Sequence, residues 1–209
     1  MRLHVRLRSA VDGSLAGSPF ELVERPLVSE GSSLEAASPN WPARHVVLAG
    51  DRAVYHEGVV EYEVVGDELA VALLRAVGAI SRDAMPTRPW PAGPGVRTPE
   101  AQLVGRSAFA LGLRAGAGRD DLLDEWERFA LPLLEAEATG GGELPDRGSL
   151  LDIAGGAQLS GVRRVDGRTE VRVWNHRQDR SVRARVDGRE IEVGPARIET
   201  VVLGGRHGR

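Results

Sequence analysis

The chain has 209 residues, 42% hydrophobic and 27% charged, with a formal charge of −3 at neutral pH, which suits one large or two small globular domains. Cysteine and lysine are both absent and all 27 basic residues are Arg, which excludes disulfides, thiolate nucleophiles, Cys-ligated zinc, Schiff-base lysines and Walker-type phosphate lysines. Interspersed charge leaves no nucleic-acid footprint, no 18-residue apolar run suits a membrane span, and Met1–Leu7 alternates instead of forming an apolar leader, so a cytoplasmic location is expected.

Taken in chain order, the elements are mostly short strands. Leu3, Val5 and Leu7 alternate with His4, Arg6 and Arg8, one face apolar and one wet. Asp12-Gly13 is the first of three Asp-Gly pairs, the dipeptide that supplies positive φ to tight type I′ hairpins. Residues 25–43, rich in Ser, Glu, Ala and Pro, read as a loop ending at Asn40-Trp41-Pro42. Glu61–Val65 and Leu69–Leu74 flank Gly66-Asp67-Glu68 as a hairpin, whose nearly all-apolar second half predicts a central strand covered on both faces. Residues 82–102 carry five prolines, which forbids regular structure. A loop that long in a compact domain is functional or disordered, and proline stiffening favours an ordered, functional one.

One helix is predicted around 120–131: Asp120 or Asp121 caps it, Leu122, Leu123, Trp126, Phe129 and Ala130 repeat at helical spacing, and Pro132 stops it. Asp166-Gly167 joins strands over Gly161–Val165 and Arg168–Trp174, Asp187-Gly188 joins Val182–Val186 to Glu190–Val193, and a last strand runs through Ile198 to Leu203. One short helix among about a dozen antiparallel strands predicts a mainly β fold, an antiparallel β-sandwich. No compositional break divides residues 1–209, and no repeat is visible.

Few residues suggest chemistry. Glu61 and Glu63 share a strand face as a glycosidase carboxylate pair would, or they are simply its solvated side. His4, His45, His56, His176 and His207 form no metal-binding motif. Ser107 lacks the second glycine of a nucleophile elbow, and Gly140-Gly141-Gly142 precedes no helix, so it is a turn and no phosphate cradle. The run Arg177, Arg180, Arg183, Arg185 and Arg189 reads as a solvated sheet face. Trp41 and Trp90 either stack on sugar rings or plug a sheet edge. On the Pro-rich loop, Arg82, Arg88, Arg97 and Gln102 suit hydrogen bonding to hydroxyls or a carboxylate, or stud a plain linker.

Several stretches resemble, in collinear order, the C-terminal region of bacterial α-mannosidases of glycoside hydrolase family 38. They are Ser18–Pro26 (SPFELVERP), Gly58–Val64 (GVVEYEV), Leu73–Arg82 (LLRAVGAISR), Arg88-Pro89, Ala92-Gly93-Pro94, Thr98–Gln102 (TPEAQ), Leu159–Arg164 (LSGVRR) and Val171–Asn175 (VRVWN). The resemblance implies a large β-sandwich of the supersandwich, galactose-mutarotase-like kind spanning 1–209. It further implies a retaining glycosidase whose Asp nucleophile and His/Asp-held zinc lie upstream, in an N-terminal α/β domain, so no catalytic or metal residue carries over to this chain. In relatives a C-terminal loop offers an Arg to the cleft; here residues 82–102 correspond to that loop, with Arg82 and Arg88 the candidates to line it. The implied partners are that α/β domain, in cis or in trans, and a mannoside. The alternative is a free-standing glycan-binding sandwich without catalysis.

Overall fold

A computed structural model describes residues 1–137, 141–143, 145 and 147–204. His207, Gly140 and Leu144, which bear on the histidine and triple-glycine readings above, lie outside the described residues. The fold is mainly antiparallel β with one short helix, as the strand pattern predicts. Although composition marks no boundary, contacts group the chain into two compact units: 1–18 with 23–133, and 19–22 with 134–209.

The first unit is built on a seven-stranded sheet. Its strands are β1 (Arg2–Arg6), β2 (Gly13–Ser18), β3 (Glu21–Pro26), β4 (Trp41–Ala49), β5 (Arg52–Val65), β6 (Glu68–Ala72) and β7 (Leu111–Ala115), in the order β1-β6-β5-β4-β2-β3 with β7 also on β5. β6, flanked by β1 and β5, has Leu69, Ala70 and Val71 buried, which matches the prediction of a covered central strand.

The 14-residue β5 does not run straight. Its pairing with β4 jumps from Arg44↔Val59 to Val46↔Tyr55, so residues 56–58 of β5 lie opposite the single residue His45. Gly58 and His45 both have φ of 75°, the left-handed conformation that lets the strands bend at this enlarged bulge. The bulge leaves Val47, Ala49 and Val54 on one side of it and Ala43, Tyr62, Val64, Leu69 and Val71 on the other in one buried cluster. Helix α1 (Leu122–Ala130) packs on β4 and β5, setting Phe129 against Tyr55. A 3-10 turn over Arg119–Asp121 runs directly into it. Asp121 therefore has helical angles and forms no side-chain cap, a departure from the expected capping. At the other end, extended Leu131 precedes Pro132 and stops the helix.

The second unit is a small two-layer sandwich. One sheet orders β13 (Ile198–Leu203), β10 (Arg168–Trp174) and β9 (Gln158–Val165); the other orders β12 (Arg189–Val193), β11 (Val182–Val186) and β8 (Ile153–Gly155). Val171, Val173, Val201 and Leu203 of the first meet Ala184, Val186 and Val193 of the second in a closed core. Both hairpins turn on Asp-Gly with two successive positive φ values, 48° and 74° at Asp166-Gly167 and 48° and 81° at Asp187-Gly188, as type I′ geometry demands. Asp12-Gly13 is different: it turns no hairpin, since β1 pairs with β6 and β2 with β4. Glycine is needed there for space, because a Cβ would stand 2.9 Å from the Arg25 carbonyl.

Buried Asn175 anchors the loops of this unit. Its amide nitrogen donates to the carbonyls of Arg180, Val193 and Gly194 at 2.8 to 3.1 Å, and its side-chain oxygen accepts from the Arg177 amide at 2.9 Å.

Candidate functional site

The Pro-rich segment is ordered by local bonds. Residues 77–80 run antiparallel to 96–101, with Ile80 N–H donating to Val96 O at 2.9 Å, Thr98 N–H to Gly78 O at 3.0 Å and an isolated bridge between Ala79 and Arg97. Within the head of this loop, Met85 and Arg88 exchange both backbone bonds, at 2.9 and 3.1 Å. The nearly buried Ser81 hydroxyl accepts from the amides of Ala92 and Gly93. The expectation of no regular structure fails at these two isolated bridges and at the end of the segment, where Pro99–Gln102 form a 3-10 turn, proline being suited to a first helical position.

The other long loop is docked onto this one. Ser32 accepts from the amides of Leu34 and Glu35, rounding a tight turn, and the amide of Ala36 donates to Thr87 O at 2.7 Å. Arg88 donates to Glu35 Oε1 at 3.1 Å, its side chain only 20% exposed. The two arginine candidates thus stand in different situations. Arg88 is committed to holding the loops together, whereas Arg82 is exposed and has no hydrogen bond or ion pair among the described residues.

The remaining sequence candidates disperse. Glu61 is paired with Arg75 at 2.6 Å and Glu63 with Arg2, flanking buried Tyr62, so they are the outer side of β5. Arg183 and Arg185 lie on the exposed side of β11. Trp41 opens β4, its indole donating to Pro26 O at 2.8 Å beneath the Arg25 guanidinium, 4.9 Å from the ring centre. Trp90 is 44% exposed. Ser107 is exposed in irregular chain. His4 pairs with Glu68 at 3.1 Å. Among the described residues no three His, Asp or Glu side chains converge on a point that could hold a metal, so the zinc implied by the resemblance has no fitting ligand set there.

Sequence reasoning passed over one cluster. The β4/β5 bulge brings together His45 and His56, eleven positions apart. His56 is 1% exposed. Burial, reinforced by His45, lowers its pKa to about 4 against a backbone interaction at Glu57. His45 is lowered as well, by burial and then by Arg44. Trp126 of α1 packs against His45, 3.9 Å between ring centres with the rings tilted by 44°, and donates its indole N–H to His56 O at 3.1 Å. Only the pairing of β4 with β5 makes neighbours of these residues, and no spacing rule signals it.

No family model and no curated protein matches the sequence. Solved structures do. The architecture is that of a β-sandwich region found within larger proteins. One such protein, assigned to glycosyl hydrolase family 38 from Enterococcus faecalis, matches with a TM-score of 0.68 and 21% identity over 97% of this chain and 26% of its own. An alpha-mannosidase from Enterococcus faecalis V583 matches with a TM-score of 0.70 and 20% identity over 97% of this chain and 25% of its own. The likeness establishes the fold, and the chain spans about a quarter of the length of the structures it matches.

Proposed function

We propose that residues 1–209, both units together, are the C-terminal β-sandwich region of an α-mannosidase-like retaining glycoside hydrolase of the cytoplasm. The observation that carries this reading is the match of 97% of the chain to a quarter of a family 38 protein, joined to the collinear sequence resemblance. In this reading the Asp nucleophile and the zinc belong to an α/β catalytic portion, partnered in cis or in trans, and this chain supports it. The ordered loop 82–102 reaches the mannoside cleft. Arg82, exposed and without a partner among the described residues, is the side chain that meets substrate hydroxyls, and Arg88 holds the loop in position through Glu35.

The test compares hydrolysis of an aryl α-mannoside, with zinc, by the chain alone and by the chain expressed with its catalytic portion. Turnover is expected only from the pair, with kcat/KM lowered about ten-fold by Arg82→Ala, the loss of one charged hydrogen bond. Turnover by the chain alone, or an unaltered kcat/KM in Arg82→Ala, would count against the reading. Saturable mannoside binding by a chain that has no catalytic partner would favour the free-standing module.

A further inference from the structure

In the second unit, the outer face of the β13-β10-β9 sheet carries an apolar patch framed by polar side chains. Register places Gln158, Trp174 and Ile198 side by side across the three strands, and Gly161, Arg172 and Thr200 in the next row. Both rows lie on the face opposite buried Val171 and Val173. Phe20, in the turn between β2 and β3 and grouped with this unit, meets Trp174 edge to face, with 5.8 Å between ring centres and 89° between planes. The two rings thus form a corner, with exposed Ile198 beside it. Phe20 has φ of 63°, a left-handed conformation that costs a bulky residue free energy. Burial would offset that cost, yet Phe20 is 58% exposed, and strain of this kind gathers at ligand clamps. Arg172 is exposed and forms no hydrogen bond or ion pair among the described residues, the neighbouring Glu170 carboxylate being held by Arg163 at 2.6 Å. Arg172 and Thr200 border a hollow of about 90 Å³ over Gly161, where a Cβ would meet nothing within 4 Å.

We propose that this face binds a hexuronate, a six-membered sugar ring bearing a carboxylate, with the ring in the Phe20/Trp174 corner and the carboxylate on Arg172. The C–H bonds of a sugar ring carry partial positive charge and suit the electron-rich face of an aromatic ring. Arg172 stands two residues from Trp174 on the same strand face, about 7 Å along it, and its planar guanidinium matches a carboxylate in a bidentate pair. The hollow over Gly161 gives that carboxylate room. The Gln158 amide and the Thr200 hydroxyl, one in each row, suit sugar hydroxyls. A simple carboxylate would leave the aromatic corner empty, and a neutral sugar would leave Arg172 without a partner. A cation is repelled by Arg172. An acidic peptide is disfavoured because the N–H and C=O groups of β10, the middle strand, are spent on its two neighbours, so this face offers none of the backbone bonds that an extended peptide finds at a sheet edge. No residue of 82–102 takes part, so the inference and the proposed enzymatic role stand or fall separately.

The test follows the assigned Trp174 indole N–H resonance of the full chain by NMR during titration with the methyl glycosides of D-glucuronate and D-galacturonate. Methyl D-glucoside, acetate and a hexaglutamate peptide serve as controls. At least one uronide is expected to shift the resonance saturably, with the neutral glucoside binding at least about ten-fold more weakly. Arg172→Gln, an exposed substitution, is expected to erase that preference. Phe20→Gly, which takes up positive φ without strain, is expected to weaken uronide binding about five-fold while leaving Tm unchanged or raised. The proposal is overturned if neither uronide shifts Trp174 up to about 100 mM, or if the glucoside, acetate or hexaglutamate shifts it as strongly. It is also overturned if Arg172→Gln keeps the preference for the acid, or if Phe20→Gly lowers Tm and leaves binding intact, the result of a purely structural ring.

Discussion

Acidification is expected to weaken the first unit through His56. Its pKa is about 4 in the fold and returns to about 6.5 when the chain unfolds. Between those values the unfolded chain takes up a proton that the folded chain refuses. The stability is therefore complete above pH 6.5 and is lost as pH falls towards 4. The gap between the two values corresponds to about 3 kcal/mol, of which about 2 kcal/mol disappears between pH 7 and pH 5. Urea unfolding at these two pH values measures it directly, because Trp41, Trp90 and Trp126 all lie in the unit that holds His56 and report its unfolding by fluorescence. His45 adds a slope of the same sign. The informative quantity is therefore the difference between the original chain and His56→Phe, which keeps a ring at the site but cannot titrate. The original chain is expected to lose about 2 kcal/mol more than the variant over this interval. Equal losses in the two proteins would refute the assignment of a depressed pKa to the buried imidazole.

Three further outcomes follow from the packing. Asn175→Ala strands the carbonyls of Arg180, Val193 and Gly194 together with the Arg177 amide, and is expected to destabilise the second unit by about 3 kcal/mol, read from the unfolding of Trp174. Gly17→Ala would place a Cβ 1.8 Å from the Arg44 carbonyl oxygen, forcing β2 away from β4 at about 3 kcal/mol, visible as a drop in Tm. Arg88→Ala is expected to speed amide exchange at Ala36, whose bond to Thr87 O closes the same loop junction, whereas Arg82→Ala should leave exchange and stability within about 0.5 kcal/mol.

The sheet architecture was legible wherever local chemistry decides it. Asp166-Gly167 and Asp187-Gly188 have the dipeptide that both central positions of their turns require, and each is flanked by alternating strands, so turn and pattern agree. Asp12-Gly13 carries the same letters for another reason, the closeness of Arg25, and only the fold reveals which reason applies. The helix was legible from its apolar spacing, but its cap was not, because the 3-10 turn before it changes what Asp121 can do. The division into two units leaves no mark in composition, since both are made of the same Val- and Arg-rich strands. Of the two candidate arginines, the sequence placed both on a stiff loop. That Arg88 is spent on Glu35 depends on a partner loop fifty positions away.

The β4/β5 bulge also sets a rule for which length changes the chain can absorb. Three residues of β5 face one of β4, an excess of two, and two is the period of a strand. Tyr62 and Val64 thus keep the same phase as Val54 and enter the same core. Removing or adding a pair of residues within 56–58 would preserve that phase. A single-residue insertion or deletion would instead turn Glu61 and Glu63 inward and Tyr62 and Val64 to solvent along the rest of the strand. Length variation at this point of the chain should therefore come in even steps.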